Sequence, residues 1–294
     1  MDIKLLRAFV ILARQGQYRS AAEVLCLTQP ALTKQIQTLE HLIGLTLFKR
    51  GRQGARLTNS GQLIFSRACE LLKQHDDFRE FVSRVEKGNV GKLVLGFGVS
   101  AFQLAPVKVT AFRKLFTDIE VSLNDISSDE QYRMLLNGQL QAGFVRLPVP
   151  KKLNAEPLLE ERLVLAVTNT LQVDPTNIQR VLDTYQLLQI SPHRGQGLTA
   201  QITNFLRENK LCASTVYAAD DIQTLLALVA AGSGVALLPA GVSHILPSDV
   251  KLVALEGIHT RWQIGIAWAP EIKDCLRDNF VNMVLKSNIL NSDN

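Results

Sequence analysis

The chain has 294 residues, of which 47% are hydrophobic and 20% charged, enough for about two or three domains with ordinary buried cores and unlike a disordered chain. Residues 1–67 hold ten Lys or Arg against three Asp or Glu, a balance of +7 in a chain whose total is +5. No stretch has the form of a signal peptide or approaches the ~20 apolar residues of a membrane span, so we expect a cytoplasmic protein without membrane partners.

The basic excess at one end predicts a nucleic-acid-binding module joined to something else. A membrane-surface patch is the weaker alternative. The four cysteines lie far apart without the spacing of metal ligands, so we expect no metal, no cofactor and no disulfide framework, and we interpret the cysteines as buried thiols.

The segment from Gly16 to Ile36 has the pattern of two short helices joined by a tight turn. Thr28 is a suitable N-cap for the second helix, and Pro30 falls in its first turn, where a missing N–H matters little. Leu32, Ile36 and Leu39 recur at helical spacing and are expected to face inward.

The opposite face of this second helix is polar and is expected to face solvent. A recognition helix of a helix-turn-helix, which enters the major groove, has such a face. An ordinary amphipathic hairpin with a solvated face is the alternative. The expected DNA-contacting residues of this helix are Gln29, Pro30, Thr33, Lys34 and Gln37.

A basic hairpin, or wing, is predicted next, with strands over Leu45–Phe48 and Ala55–Thr58. Between and beside them, Lys49, Arg50, Arg52 and Arg56 can neutralise phosphates or enter a minor groove. A solvated turn is the alternative interpretation.

Thr58 or Ser60 can cap a long helix that runs to about Glu86, roughly 40 Å in length. Its apolar positions alternate by four and three residues, which predicts a seam between two copies of the chain. His75 in this seam is more simply a neutral interface residue than a pH switch. The predicted seam residues are Ile64, Ala68, Leu71, His75, Phe78, Val82 and Val85.

From residue 92 onward, short apolar strands alternate with helices, which predicts an α/β region with a largely parallel sheet. The predicted organisation is therefore a DNA-binding domain over 1–58, a dimerisation helix over 59–87, a hinge over 88–91 and an α/β domain over 92–294. About 200 residues suffice for two lobes with a ligand cleft between them.

Several polar residues fall at the ends of strands or the starts of helices, where they can face this cleft. Arg146 ends a strand, where its guanidinium suits a carboxylate, although an internal salt bridge is an equal alternative. The loop 191–197 can close over a ligand or serve as a plain connection. The candidate ligand-contacting residues are Ser100, Ala101, Ser127, Ser128, Gln131, Arg146, His193, Asp221 and Gln223.

No catalytic constellation is present: the chain lacks a GxSxG elbow, a Walker-type GK[ST], an HExxH motif and a full dinucleotide fingerprint. We therefore expect the α/β domain to bind a small molecule without reacting with it, so that the protein is not an enzyme. The alternative of another class is an α/β small-molecule-binding protein or enzyme with an accessory basic association domain.

Several phrases of the chain resemble the LysR-type bacterial transcriptional regulators, and the order of parts matches that family along the whole chain. They are Gly16 to Ile36, Leu39-Glu40-x-x-Ile43-Gly44-x-x-Leu47-Phe48-x-Arg50, Leu57-Thr58-x-x-Gly61, and more loosely Gly138 to Phe144 and Leu228 to Pro239.

The resemblance implies an all-α winged helix-turn-helix domain with a long linker helix, followed by a periplasmic-binding-protein-like α/β effector domain of two lobes. Lobe I would span about 92–161 and 268–294, and lobe II about 162–267. It also implies a dimer of dimers, an inverted-repeat operator in promoter DNA, RNA polymerase as a further partner, and an effector that changes how the protein holds DNA.

Family base-reading positions fall on Gln29, Pro30, Thr33 and Lys34, although Ser and Arg are more usual at the last two. The phrase from Gly143 to Pro148 is similar to members that sense small carboxylates, in which an Arg at this place meets the ligand acid. This favours an anionic effector.

Two departures from relatives are visible. Gln141 stands where an Asp is common, so the local network there is expected to differ. Peroxide-sensing relatives hold two cysteines close together in the second lobe, where this chain has only Cys212, so redox sensing is disfavoured.

Overall fold

The computed structural model describes residues 2–51, 54–191 and 195–292. These residues divide into two compact units, Met1–Arg84 and Val85–Asn294. Hydrophobic core clusters lie within each unit. Among the described residues, no helix is both long and apolar enough to cross a bilayer.

The first unit contains three short helices, a hairpin and most of a long helix. Asp2 begins the first helix by accepting a hydrogen bond from the Lys4 N–H at 2.9 Å, and Gly16 ends it with φ +68°. The elements are α1 (Ile3–Gln15), α2 (Tyr18–Val24), α3 (Gln29–Ile43), β1 (Phe48–Gly51), β2 (Gly54–Leu57) and α4 (Asn59–Glu86).

The α2–α3 pair has the predicted packing. Ala21 and Ala22 are buried, as the close approach of two helices requires, and Thr28 caps α3 by accepting from the Ala31 N–H at 3.4 Å. Leu32, Ile36 and Leu39 are buried, which confirms the expected inward face.

The wing differs from the expected boundaries. Its strands begin at Phe48 and end at Leu57, so Lys49 and Arg50 are paired strand residues instead of turn residues. The Glu40 carboxylate of α3 accepts from the Leu47 N–H at 2.7 Å and from the Phe48 N–H at 3.2 Å. This tertiary anchor, which strand propensity does not show, sets where the first strand begins.

The second unit alternates strands and helices, as expected for an α/β domain. The sequence interpretation did not include α7, β8, β10 or α10, because these segments are short or weakly periodic. The elements are β3 (Gly91–Phe97), α5 (Leu104–Leu115), β4 (Ile119–Asp125), α6 (Ser128–Leu136), β5 (Ala142–Arg146), β6 (Asn154–Thr168), α7 (Gln179–Thr184), β7 (Leu187–Ile190), α8 (Gln196–Glu208), β8 (Thr215–Ala219), α9 (Ile222–Ala230), β9 (Val235–Pro239), β10 (Val250–Ala254), β11 (Arg261–Trp268) and α10 (Cys275–Ser292).

The expectation of a largely parallel sheet was wrong. The strand order is β4-β3-β5-β11-β6-β9-β7-β8, with β10 also paired to β6. Pairs at the two ends are parallel, but β6 and β11 run antiparallel to their neighbours. Two return strands therefore occupy the middle of the sheet, and apolar runs alone do not show strand direction.

The long strand β6 connects the two lobes. Its first part, Asn154 to Arg162, pairs with β11, and its second part, Leu163 to Thr168, pairs with β9 and β10. Because β11 pairs with β5 and with the first part of β6, it belongs to lobe I. The expected lobe boundary at 267 therefore lies too late in the chain.

The segment after α4 packs on the start of α10. Gly88 has φ +66°, and a Cβ at this position would lie 2.5 Å from the Leu276 nitrogen, so only glycine fits without a shift. The Asn279 side chain donates to the Lys87 carbonyl at 2.9 Å. The predicted hinge region is thus closely packed within the second unit.

The cysteines are not the buried thiols that we expected. Cys26, Cys212 and Cys275 are exposed, and Cys69 is half-buried. Cys26 and Cys212 lie in loops, Cys275 begins α10 and Cys69 lies within α4, so their apolar character alone did not predict their exposure.

Candidate DNA interface and ligand cavity

The outer face of α3 presents the predicted polar residues. Gln29, Pro30, Lys34 and Gln37 are exposed, and Thr33 is half-buried. The Thr28 cap and Pro30 fix the start of the helix here, and the polar side chains beside them are accessible. A face of this kind can donate and accept hydrogen bonds at base edges.

Basic residues also lie on the wing. Lys49 of β1 is directly opposite Arg56 of β2, and both are strand residues. The side chain of Arg50 and the whole of Arg52 lie outside the described residues, so their predicted contact with phosphates stays a prediction.

The predicted seam on α4 divides into two parts. Ile64 packs against the core of the first unit but is only half-buried, whereas Ala68 is buried in that core and is not available to a second copy. The prediction was wrong for Ala68 because the start of α4 completes the winged domain. Leu71 and Phe78 are exposed in the chain, to 44% and 65%.

Further along α4, Val82 and Val85 are exposed, and so is Phe81, which the heptad pattern did not include. His75 is half-buried, and its Nδ1 lies 3.0 Å from the Asp76 carboxylate, which also accepts from Arg7 at 2.6 Å. Both hydrogen bonds lower the pKa of Asp76, and the bond from Arg7 has the larger effect.

A cavity of about 600 Å³ lies in the second unit. Three helices of that unit, α6, α8 and α9, have residues of their first turns in its lining, so the positive ends of three helix dipoles lie at the cavity. A volume of this size is typical of small-molecule sites. Apolar side chains in the lining include Met134, Phe144, Ile190, Leu198, Ile222 and Trp262.

The structure brings most of the predicted ligand-contacting residues to this cavity. His193 lies outside the described residues, and its proposed contact stays a prediction. Gln131 is fully buried and does not line the cavity; it donates to the carbonyls of Ile126 and Phe144. Its position at a helix start was therefore misleading. The predicted residues in the lining are Ser100, Ala101, Ser127, Ser128, Arg146, Asp221 and Gln223.

Arg146 has a defined position in the lining. Its Nη1 donates to Oε1 of Gln201 at 2.8 Å, and its guanidinium lies 4.0 Å from the centre of the Trp262 ring. The Gln201 amide in turn donates to the His259 carbonyl. The guanidinium is therefore oriented by an amide and an aromatic ring.

Within the described residues, Arg146 forms no ion pair, so the alternative of an internal salt bridge is not observed there. Burial lowers the pKa of Arg146 to about 10, although Tyr132, Glu161 and Asp129 act in the opposite direction. The group is still charged at neutral pH. A half-buried cation without a paired anion is well suited to an anionic ligand.

The backbone of Arg146 is also held. Its N–H donates to Oγ of Ser128 at 3.0 Å, and its carbonyl accepts from the Tyr132 hydroxyl at 2.5 Å. Burial, followed by the nearby Asp129 carboxylate, raises the pKa of Tyr132 to about 12, so the hydroxyl remains a donor. These bonds join the end of β5 to the start of α6.

Sequence reasoning missed Asp129, Gln201 and Trp262. Asp129 directly follows Ser128 and was available from its position in the same helix start. Gln201 and Trp262 are 55 and 116 residues from Arg146 along the chain, and no local pattern connects them. Gln141, the noted departure, accepts from the Val94 N–H at 2.7 Å.

No group of three or more metal-ligating side chains is found in the part of the chain that the structure describes. The arrangement therefore consists of a polar helix face and a basic hairpin in the first unit, and a cavity with one well-placed cation in the second.

Two family models match the chain. Residues 3–62 match the bacterial regulatory helix-turn-helix protein, lysR family, and residues 86–274 match the LysR substrate binding domain. Together these models cover the α3 face, the wing and most of the cavity-bearing unit.

Individual proteins are similar over nearly the whole chain. The HTH-type transcriptional regulator BenM of Acinetobacter baylyi is 28% identical over 87% of this chain and 86% of its own length. The crystal structure of CbnR, a LysR family transcriptional regulator, matches with a TM-score of 0.77 and 25% identity, covering 97% of this chain and 100% of that one. Full-length CbnR complexed with target DNA has the same fold, with a TM-score of 0.76, 24% identity, and coverage of 98% and 100%.

Proposed function

Because the chain belongs to the LysR family of bacterial transcriptional regulators, which are DNA-binding proteins and not enzymes, we propose that it binds a specific promoter sequence and responds to a small carboxylate. The observation that carries the ligand part of this proposal is Arg146, a half-buried cation in the cavity without an ion pair among the described residues. The match of residues 3–62 to the lysR-family helix-turn-helix model supports the DNA-binding part of the proposal.

Sequence readout is assigned to the start of α3. Gln29, Thr33 and Lys34 would contact base edges in the major groove, with Pro30 against the groove and Gln37 beside a phosphate. Lys34 offers a single point charge where a guanidinium would offer two aligned donors, so it discriminates less between bases. The exposure of Gln29 and Lys34 supports this role.

Phosphate contacts are assigned to the wing residues Arg50, Arg52 and Arg56. Such contacts fix the position of the protein on the duplex without reading sequence. Arg56 follows Ala55 on β2. The Ala55 N–H donates to the Gly16 carbonyl at 2.8 Å, so the strand is held against the end of α1.

Dimerisation is assigned to the exposed part of α4. Leu71, Phe78, Val82 and Val85 would meet a second copy, with His75 beside them. A two-fold symmetric dimer matches an inverted-repeat operator, and a dimer of dimers would extend the contact along promoter DNA. Contact with RNA polymerase stays a prediction.

The effector is assigned to the cavity of the second unit. Its carboxylate would meet Arg146, while Ser100, Ser127 and Ser128 would supply hydroxyl groups and Ala101 and Gln223 would line the remaining space. Because β6 joins the two lobes, a ligand that binds better to one arrangement of the lobes would shift the population toward it.

A paired experiment tests this proposal with the purified full-length chain. Mobility shift against promoter fragments measures DNA binding, and thermal shift against small carboxylates and neutral analogues measures ligand binding. We expect stabilisation by carboxylates that Arg146→Ala abolishes. The matched control is Arg162→Ala, which removes an arginine outside the cavity lining.

Two outcomes would contradict the proposal. Failure to retard any promoter fragment at low salt would remove the DNA-binding assignment. Carboxylate stabilisation that persists in Arg146→Ala would place the ligand acid elsewhere in the protein.

A further inference from the structure

One edge of the Arg146 guanidinium is open. Nη1 donates to Gln201 and one face of the planar guanidinium lies against the Trp262 ring, whereas Nε and Nη2 have no hydrogen-bond acceptor among the described residues. Nε and Nη2 together form an edge that can hold both oxygens of a carboxylate. The existing contacts therefore orient the cation and leave this edge for a ligand.

Asp129 is a second acidic or basic residue of the lining, and its side chain has no directly bonded partner among the described residues. It lies in the first turn of α6, is half-buried, and makes no hydrogen bond or ion pair with the described part of the chain. Its neighbour Glu130 is paired with Arg133, and Asp221 caps α9 through Thr224. Asp129 and Arg146 do not form an ion pair with each other either.

Gly197 locates the space between these two charges. The position that a Cβ would occupy at this glycine is 3.7 Å from Nε of Arg146 and 3.8 Å from Oδ2 of Asp129. Nε of Arg146 and Oδ2 of Asp129 are therefore at most 7.5 Å apart, and no side chain projects between them from Gly197. It lies in the first turn of α8, which has no side-chain cap.

We propose that the cavity recognises a zwitterion, an α-amino acid with an apolar side chain, whose carboxylate binds Arg146 and whose ammonium group binds Asp129. This inference rests on the proposed function and specifies its ligand. The carboxylate and the ammonium group of an α-amino acid are attached to one carbon atom, which suits two opposite charges that lie at most 7.5 Å apart.

The charge balance of the site favours a zwitterion over a simple carboxylate. An acid without an ammonium group would bring a second negative charge close to Asp129 without compensating it, which is unfavourable in a half-buried site. The lining also contains the carboxylates of Asp125, Glu130, Asp220 and Asp221, and its apolar part includes Phe144, Ile190 and Trp262. These surfaces suit an aliphatic or aromatic side chain.

The test compares ligands that differ by one charged group. Phenylalanine is measured against hydrocinnamate and phenethylamine, and leucine against isocaproate and isoamylamine, by calorimetric titration of the full-length chain. Since each analogue loses one charge-assisted hydrogen bond, we expect at least one amino acid to bind about tenfold or more tightly than both of its analogues.

Two variants separate recognition from folding. Asp129→Asn should weaken amino-acid binding about tenfold or more while leaving or improving carboxylate binding; a merely structural role would weaken both. The matched control is Asp183→Asn, which changes an exposed aspartate on α7 outside the lining. Gly197→Ala should abolish binding without lowering the Tm, because its methyl group would make no contact shorter than 3.7 Å.

Each other outcome overturns the inference. Equal or tighter binding of a carboxylate than of its amino acid would leave the proposed function intact and remove the role of Asp129. No binding by any of the six compounds would exclude this ligand class. If the protein used for these titrations also failed to retard promoter DNA, the proposed function itself would be contradicted. Failure of the inference and failure of the proposed function are therefore distinguishable.

Discussion

Arg146 shows how a single residue acquires its role from its surroundings. Its sequence position suggested either a ligand carboxylate or an internal salt bridge. In the structure its partners are the Gln201 amide and the Trp262 ring, neither of which neutralises its charge. Burial lowers its pKa to about 10 without removing the proton at neutral pH. The cation therefore remains available to an anion.

Tyr132, which holds the Arg146 carbonyl, provides a pH test. Its pKa is raised to about 12, because burial and then the Asp129 charge disfavour the phenolate. The neutral form is thus favoured by folding: this contribution is complete below pH about 10, the ordinary tyrosine value, and is lost as pH rises toward about 12.

We therefore expect Tyr132→Phe and the wild type to have equal tyrosinate absorbance in the folded protein at pH about 11, which is above the ordinary tyrosine pKa. After denaturation at the same pH, the variant should show one tyrosinate fewer. An absorbance deficit already present in the folded variant would mean that Tyr132 titrates normally. Near-UV spectra of the two forms make this measurement.

At the scale of elements, α4 combines two roles along its length. Its first half contributes Ala68 and Leu72 to the core of the winged domain, and its second half presents exposed apolar residues. A heptad pattern records that a position is apolar but not which surface covers it. For this reason one continuous pattern contains residues with two different environments.

This division predicts different effects for substitutions on the same helix. Phe78→Asp changes a residue that is 65% exposed in the chain, so the protomer should remain folded while dimers are lost and operator affinity falls. Ala68→Asp buries a charge in the core and should destabilise the winged domain itself. Sedimentation and thermal unfolding separate the two effects.

The control for both is Arg79→Ala, an exposed polar position on α4. A Phe78→Asp protein that still sediments as a dimer would show that the contact between copies lies elsewhere.

At the scale of the whole molecule, charge is divided unequally. The first 67 residues carry a net charge of +7 and the whole chain carries +5, so residues 68–294 carry a net charge of −2. Binding to DNA should therefore depend on salt through the first unit, because phosphate neutralisation releases counterions in proportion to the number of contacts.

We expect the slope of log affinity against log salt to become shallower by about 0.9 when Arg56→Ala removes one phosphate contact. Lys151→Ala, which removes an exposed lysine from the second unit, should leave the slope unchanged. An equal change in both variants would mean that the second unit also contacts DNA. Fluorescence anisotropy at several salt concentrations measures the slopes.

Several features of this protein could be predicted from the sequence because they depend on local signals. The α3 cap at Thr28, the inward face of Leu32 and Ile36, and the strand that ends at Arg146 all follow from short-range preferences for capping, periodicity and burial, which neighbouring residues determine. The family phrases, which are also contiguous, indicated the winged domain and the effector domain.

Other features depend on residues far apart in the chain. The antiparallel direction of β6 and β11, the contact of Gln201 with Arg146, and the approach of Asp129 and Arg146 to Gly197 arise when the lobes pack and β6 connects them. A linear sequence shows which groups are available, but their distances depend on chain reversals and long-range packing. The charges that select a ligand are therefore visible only in the folded chain.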